Sequence, residues 1–260
     1  IIAKYLVESG YSIVVLGRSL TKLKSLTDSL SIVNPNVKVI GVICELSSFD
    51  STKKACNEIK SLVDSIDLLV LNAGLWNFKF IETENKIEET FQVNLLSQFL
   101  IFKKLNSLII RNNESKVIFT SSGLHQGEIN FEDLEFRNKF SGFNAYRQSK
   151  LGILLLTRWL SEQSDFSDIS FYCVHPGMVN TGLGKNAGWW SRQIFNILGK
   201  SKEEGAQTHI HLIKMDNKDL KSGAYYANCK LTKTTEYSNN MTKAAKLWNT
   251  LNVYFNRVVD

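Results

Sequence analysis

The chain has 260 residues, of which 43% are hydrophobic and 22% are charged, and its formal charge is +6. This size and composition fit one α/β domain, and no apolar run approaches the ~20 residues of a membrane-spanning helix. Its lysines and arginines are scattered rather than gathered in a stripe, which argues against nucleic-acid binding and leaves a weak attraction to anionic membranes open.

Hydrophobic periodicity and turn residues predict alternating helices and strands along the whole chain. In the first half they predict the helix Ile1–Ser9, the strand Tyr11–Leu16, the helix Leu20–Leu30, the strand Val37–Ile43, the helix Ser51–Val63 and the strand Asp67–Leu71. In the second half they predict the helix Lys86–Arg111, a strand ending at Thr120, the helix Tyr146–Gln163, the strand Ile169–Val174, the helix Glu203–Lys214, the strand Gly223–Ala227 and the helix Met241–Asn256.

The predicted strands are continuously apolar, which indicates burial on both faces of a sheet. Strands that alternate with helices pair in parallel, because a parallel crossover needs a helix-sized connection. The sequence therefore predicts a single α/β domain over residues 1–260, with a doubly wound, mostly parallel Rossmann sheet flanked by helices and joined by right-handed crossovers. In such sheets ligands bind beyond the carboxyl ends of the strands.

The beginning of the chain departs from this pattern. A Rossmann unit opens with a strand and a glycine-rich loop that leads into a helix, whereas Ile1 already stands inside a predicted helix. We therefore expect an N-terminally incomplete sequence, from which the first strand and the glycine-rich loop are absent. That strand would be the central one, and without it two strand edges would stay unpaired.

The segment AYRQSK holds the strongest candidate for chemistry. Tyr146 and Lys150 are four residues apart and so share one face of a helix. A free tyrosine has a pKa of about 10, and a neighbouring ammonium favours the phenolate and lowers that pKa, which would make the pair a usable general acid/base. Taken alone, the spacing is more often a helix with one solvated lysine and one half-buried tyrosine, so the neighbouring motifs decide.

Further motifs follow the predicted strands in a set order. NAG (Asn72–Gly74), TSSG with Ser121 and Ser122, and VHPGMVNT each come directly after a strand, and AYRQSK follows TSSG. In this order and context the motifs resemble those of the short-chain dehydrogenase/reductase family over nearly the whole chain. The segments LNAGLW, FEDLEF, AYRQSKLGILLLTRWL, VHPGMVNTGL, EEGAQT and SGAYYANCK are most similar to its retinol-dehydrogenase-like group.

The resemblance implies a nicotinamide-dependent oxidoreductase that interconverts an alcohol and a carbonyl. Tyr146 would exchange a proton with the substrate oxygen, and Lys150 would lower its pKa and bind the nicotinamide ribose. Ser122 would orient the carbonyl. Asn94 would hold a water that links Lys150 to solvent, and the alternative for Asn94 is a helix-interior asparagine bonded to its own backbone.

The family resemblance also implies which residues bind the cofactor. The cofactor-binding residues would be Arg18, Glu45, Leu46, Asn72, Ala73, Gly74, Tyr146, Lys150, Pro176, Gly177, Val179 and Thr181. An acidic residue after the strand that precedes Arg18 would bind a ribose 2′-hydroxyl, whereas an arginine accommodates a 2′-phosphate. We therefore expect NADP(H) rather than NAD(H), with a surface arginine as the alternative. Glu45 stands where the family usually has aspartate against the adenine.

The substrate side is less defined by the sequence. We expect a lipophilic retinoid-, steroid- or lipid-derived carbonyl or alcohol, with contacts from Trp76, Leu124 and the segment Gly188–Leu198, whose alternative role is a helix packed on the domain. A broad carbonyl reductase fits equally well. The missing glycine-rich loop favours a different alternative, a cofactor-impaired fragment or a non-enzymatic interaction protein on the same fold.

The four cysteines, the histidines and the helices allow three further expectations. The cysteines form no CxxC pair and read as buried thiols of a reducing compartment, in the cytoplasm or on the cytosolic face of an intracellular membrane. No metal site is expected, because His209 and His211 are two apart on a helix and face different ways. Relatives often form homodimers through the helices that correspond to Lys86–Arg111 and Tyr146–Gln163.

Overall fold

The computed structural model describes residues 1–177 and 201–259, where helices and strands alternate as the sequence predicts. In chain order these elements are α1 (Ile2–Glu8), β1 (Ile13–Gly17), α2 (Leu20–Val33), β2 (Val39–Ile43), α3 (Phe49–Leu62), β3 (Leu68–Leu71), α4 (Glu89–Phe91), α5 (Ser97–Leu105), β4 (Lys116–Thr120), α6 (Gly142–Ser161), β5 (Ser170–His175), α7 (Lys202–Lys214), β6 (Tyr225–Ala227), β7 (Lys230–Leu231) and α8 (Met241–Val259).

The strands of the described residues form two hydrogen-bonded groups. β1 and β2 pair in parallel, and β3 to β7 form a five-stranded sheet in chain order. Within the larger sheet only β7 runs antiparallel, against β6. The predicted fold class, a mostly parallel sheet flanked by helices, is confirmed. The sheet is divided between β1 and β3, and the prediction of a preceding strand stays a prediction.

Successive residues of the central strands point into two different hydrophobic clusters. Val117 and Phe119 of β4 join the large cluster beneath α3, α5, α6 and α8, whereas Ile118 joins a smaller one with Leu6 of α1 and Leu212 of α7. This alternation is the period of two that a strand imposes on its side chains. The larger sheet is therefore covered by helices on both faces.

Several predicted helix ends are wrong, among them Arg111, since that helix ends at Leu105, and Leu30, since that helix continues to Val33, and two predicted starts are wrong for identifiable reasons. The helix expected over Lys86–Arg111 begins at Glu89, because the buried Glu88 carboxylate accepts hydrogen bonds from the Thr90 and Phe91 N–H groups and Lys86 has a left-handed φ of 58°. The helix expected from Tyr146 begins at Gly142, after the capping side chain of Ser141.

Two shorter features were not predicted. A π-helical turn, Gln92–Leu96, separates α4 from α5, and the hairpin strand β7 follows β6. The turn between β6 and β7 contains Asn228 and Cys229 at positive φ, which no hydrophobic pattern signals.

Candidate active site

The carboxyl ends of β3 and β4 meet α6 at one edge of the larger sheet. The Lys150 side chain is 3% exposed, and its Nζ donates to the Thr120 carbonyl at 2.9 Å. The same Nζ lies 5.8 Å from the centre of the Tyr146 ring. The predicted pair is therefore brought together one helical turn apart, at the end of β4.

Burial is the largest influence on the pKa values of Tyr146 and Lys150. Burial raises the pKa of the Tyr146 phenol, and a hydrogen bond with the Ser122 side chain lowers it by less. Burial also lowers the pKa of Lys150 to about 8. The pKa of Tyr146 therefore lies above its usual value because burial outweighs the hydrogen bond with Ser122, and the predicted lowering of this pKa by Lys150 stays a prediction.

Asn94 lies in the π-helical turn and binds two other segments. Its Oδ1 accepts from the Leu75 N–H at 2.7 Å, and its Nδ2 donates to the Leu75 carbonyl and to Ser149 Oγ, both at 2.9 Å. Ser149 Oγ in turn donates to the Tyr146 carbonyl at 2.7 Å. The amide thus joins the NAG segment to α6 rather than bonding its own backbone, and its role as a water holder stays a prediction.

The loop after β4 is held by groups that the sequence did not single out. The Ser122 carbonyl accepts from His125 Nδ1 at 2.7 Å and from the Tyr225 hydroxyl at 3.0 Å. Ser122 Oγ itself accepts from the Leu124 N–H at 3.1 Å. The segment SGAYYANCK signalled Tyr225 only as a family likeness, because its contact spans 103 residues of sequence.

His175 connects this loop to the loop after β5. Its Nδ1 accepts from the Gly123 N–H at 3.0 Å and from the Gly177 N–H at 3.3 Å. Gly177 has a φ of +83°, a conformation that favours glycine, and it follows Pro176 directly. The predicted residues Val179 and Thr181 and the segment Gly188–Leu198 lie outside the described residues.

Aromatic side chains border the phenol. The Trp76 ring stacks on the Tyr146 ring with centroids 4.6 Å apart and an angle of 11° between the planes. The Trp76 ring also stacks on the Phe78 ring, with centroids 5.1 Å apart, and its centroid lies 6.2 Å from that of the Phe143 ring. Since Phe78 and Phe143 are 41% and 48% exposed, the predicted substrate contact Trp76 opens onto an apolar surface.

The residues predicted for the adenosine side surround the ends of β1, β2 and β3. Arg18 and Glu45 form a long ion pair of 3.9 Å, and their side chains are 76% and 39% exposed. The Leu46 carbonyl accepts from Ser97 Oγ at 2.6 Å, which ties this loop to α5. Asn72 and Ala73 are exposed directly after β3.

Gly74 lies against the catalytic candidates. A Cβ added to Gly74 would lie 3.0 Å from Lys150 Nζ and 3.2 Å from Asn94 Oδ1. A larger residue here would therefore crowd both side chains.

Three further features concern membrane spans, metal ligands and cysteines. In residues 1–177 and 201–259, no helix has the length and apolar character to span a bilayer. No group of three or more histidine, cysteine, aspartate and glutamate side chains suited to a metal ion occurs in this part of the chain. All four cysteines are free thiols.

Comparison with known proteins gives a family and a fold. A family model for short chain dehydrogenases matches residues 1–192. The chain is 32% identical to mouse retinol dehydrogenase 14 over 211 residues, which cover 78% of this chain and 63% of that protein, so the match spans less than two thirds of the relative. It is 28% identical to human polyprenol dehydrogenase over 257 residues, which cover 95% of this chain and 78% of that protein.

A solved structure shares the fold at low sequence identity. An alcohol dehydrogenase from the archaeon Thermococcus sibiricus, in complex with 5-hydroxy-NADP, superposes with a TM-score of 0.67. The alignment covers 87% of this chain and 88% of that chain at 21% identity.

Proposed function

The chain belongs to the short chain dehydrogenase family, and on that premise we propose that it is an oxidoreductase that interconverts a lipophilic alcohol and its carbonyl with NADP(H). The observation that carries the proposal is the cluster of the buried Tyr146 and Lys150 with the half-buried Ser122. The Ser122 side chain is hydrogen-bonded to the phenol, and the Lys150 ammonium lies 5.8 Å from its ring centre.

Tyr146 exchanges the proton in this proposal. Because burial raises the pKa of the phenol, Tyr146 is protonated near neutral pH and can donate to a carbonyl oxygen during reduction. Ser122 donates a second hydrogen bond to the same oxygen and orients it. In the direction of oxidation, the phenol first loses its proton to solvent, and the resulting phenolate, stabilised by the Lys150 ammonium, accepts the alcohol proton.

Lys150 supplies a positive charge next to Tyr146. Its pKa of about 8 leaves the ammonium mostly protonated near pH 7, where it stabilises negative charge on the phenol oxygen when the proton leaves. Asn94 keeps the NAG segment against α6, because its amide binds Leu75 and Ser149 together.

The residues present fit a dinucleotide, which would supply or accept the hydride. Gly74 packs closely against Lys150 and Asn94, where the absence of a Cβ allows close backbone approach, and the exposed Asn72 and Ala73 precede it. Arg18 is exposed after β1, where its guanidinium suits a 2′-phosphate. The 5-hydroxy-NADP complex of the Thermococcus sibiricus enzyme supports a dinucleotide of this kind on the shared fold.

The aromatic border supports a lipophilic substrate. Trp76 covers one face of the phenol, and exposed Phe78 and Phe143 extend the apolar surface outward. The names of the two curated relatives, retinol dehydrogenase and polyprenol dehydrogenase, indicate long apolar alcohols. We extend that substrate class to this chain, with Leu124 next to Ser122 as a further contact.

Location and assembly belong to the same proposal. Four free cysteines fit a reducing compartment, in the cytoplasm or on the cytosolic face of an intracellular membrane. A homodimer through α5 and α6 would have to form beside α8, which packs on both helices through Leu247, Trp248 and Phe255, because no residue of α5 and only Phe143 of α6 is exposed.

The divided sheet favours the second candidate, a dinucleotide-impaired interaction protein on the same fold. β1 and β3 each pair on one side only within the described residues. Binding of NADPH separates the two candidates, because an impaired chain would bind none while keeping its fold.

The test removes the hydroxyl group of the proposed catalytic acid. Tyr146→Phe in the full chain removes the phenol hydroxyl and should lower the rate of NADPH-dependent reduction of a panel of aldehydes by about 100-fold or more. NADPH binding and the melting temperature should stay close to those of the wild type. Equal rates for variant and wild type would refute the assigned acid.

A further inference from the structure

A buried histidine on α7 reaches the carboxyl edge of the sheet. His209 is 1% exposed, and its Nε2 lies 2.8 Å from Thr120 Oγ1, at the last residue of β4. The same Thr120 hydroxyl donates to Asn72 Oδ1 at 3.0 Å. Asn72 follows β3 directly and is exposed. An imidazole, a hydroxyl and an amide thus form a continuous chain from the core to the edge.

The hydrogen-bond directions along this chain follow from proton counting. The Thr120 hydroxyl has one proton, and it donates that proton to Asn72. It must therefore accept from His209, which requires a proton on Nε2. With the Asn72 amide in this orientation the His209 ring carries its proton on Nε2, whereas a proton on Nδ1 would be donated to the Gly205 carbonyl and would reverse the hydrogen bonds along the chain.

The surroundings of His209 keep the ring neutral. Burial lowers its pKa to about 4, against a smaller opposing effect of the Gly205 carbonyl. At neutral pH the imidazole is therefore an uncharged donor to Thr120.

The position of α7 against β4 is fixed independently at the opposite end of the strand. Lys116 begins β4, is 8% exposed, and its Nζ donates to the carbonyls of Leu212 and Ile213 at 2.8 and 3.2 Å. These carbonyls belong to the last turns of α7 and would otherwise lack partners. The helix is thus attached to both ends of one strand, which holds His209 in register with Thr120.

The amide of an exposed asparagine can rotate by about 180° about its last side-chain bond, which exchanges the positions of its oxygen and its nitrogen. Tying Oδ1 to Thr120 prevents that exchange and leaves the NH₂ group as the donor at the exposed edge of the sheet. We propose that His209 is a positioning residue for dinucleotide binding, which acts through Thr120 to fix the amide orientation of Asn72. This inference rests on the proposed function, and it assigns a role to a helix that the proposed chemistry does not use.

The binding test interrupts the chain of hydrogen bonds at Thr120 and at His209. Thr120→Val removes the hydroxyl at nearly equal size, and His209→Phe removes the donor while keeping a ring. Each variant should weaken NADPH binding about five- to tenfold in a fluorescence titration, and the double variant should bind no more weakly than the weaker single one. His209→Gln, which restores a donor, should recover part of the affinity.

The control for this test is His211→Phe on the same helix, two residues away, which should leave the dissociation constant unchanged. Unchanged affinity in both single variants, or additive losses in the double variant, would overturn the inference. Circular dichroism and the melting temperature identify any variant that loses its fold.

A second measurement needs no dinucleotide. The ¹⁵N signals of His209 in the free protein should be those of a neutral ring protonated on Nε2, and Thr120→Val should shift them. A ring protonated on Nδ1, or one that does not respond to Thr120→Val, would refute the chain of hydrogen bonds. A wild-type protein that binds no NADPH would instead contradict the proposed function and, with it, the ligand side of this inference.

Discussion

At the scale of single residues, the proposed choice of NADP(H) over NAD(H) rests on Arg18. Arg18 forms an ion pair with Glu45 at 3.9 Å, and both side chains are exposed, so the ion pair is weak and a 2′-phosphate can displace it. Arg18→Asp should lower kcat/KM for NADPH by about tenfold or more relative to NADH, since a carboxylate repels the phosphate. The measurement is steady-state kinetics with both dinucleotides.

Glu45→Gln is the matched control for Arg18→Asp. It removes the neighbouring negative charge without touching the guanidinium, so the NADPH preference should hold or increase. A variant Arg18→Asp that keeps the wild-type preference would remove Arg18 from the site.

The proposed contact of Trp76 with a lipophilic substrate can be tested by mutation. Its ring covers the Tyr146 phenol at 4.6 Å, so a long apolar carbonyl that reaches the phenol must pass along the indole. Trp76→Ala should raise KM for long apolar aldehydes about tenfold and change KM for acetaldehyde little, because an aromatic side chain contributes mostly through buried apolar area. Phe80→Ala, in an exposed aromatic pair with Phe140, is the control. Equal effects on both substrates would discard the assigned contact.

The order of the motifs and the family resemblance singled out Tyr146, Lys150 and Ser122, whereas the spacing of Tyr146 and Lys150 alone placed them only on one face of a helix. That spacing was not enough to predict the direction of the Tyr146 pKa, which depends on how many distant groups bury the phenol. The partners of Asn94 were missed for the same reason. Ser149 is 55 residues away, and only the packing of α6 brings it close.

At the scale of elements, the π-helical turn that carries Asn94 is held by α6. A Cβ added to Gly152 would lie 2.6 Å from Leu95 Cδ2 and 3.6 Å from Leu247 Cδ2, and both leucines are fully buried. The missing side chain on α6 therefore allows the π turn and α8 to approach the same point. Hydrophobic periodicity predicts that these helices exist, but it does not reveal how closely they pack.

Gly152→Ala should test this contact. We expect the overpacking cost to exceed the gain in helix propensity and to lower the free energy of unfolding by about 1–2 kcal/mol. The measurement is urea denaturation. Combining Gly152→Ala with Leu95→Val, which shortens the facing side chain, should recover part of the loss in a double-mutant cycle. A Gly152→Ala variant as stable as the wild type would show that Leu95 yields without strain.

At the scale of the whole molecule, the order and type of most elements were predictable, because continuous apolar strands and amphipathic helices are local patterns. The division of the sheet agrees with the expectation that two strand edges stay unpaired without a preceding central strand, since β1 and β2 pair separately from β3 to β7 within the described residues. The extent to which each strand is buried was less predictable. The apolar residues of β1 resemble those of β4 although the two strands are buried to different extents.

This division predicts unequal stability across the fold. All five residues of β4 are buried and the strand pairs on both sides, whereas the residues of β1 are half-buried and pair with β2 only. Local opening of the β1–β2 pair should therefore cost less free energy than opening of β4 and β5. In hydrogen exchange followed by mass spectrometry, peptides that contain β1 and β2 should exchange at least about tenfold faster than those that contain β4 and β5. Uniform protection of all four strands would mean that the two sheets unfold as one cooperative unit.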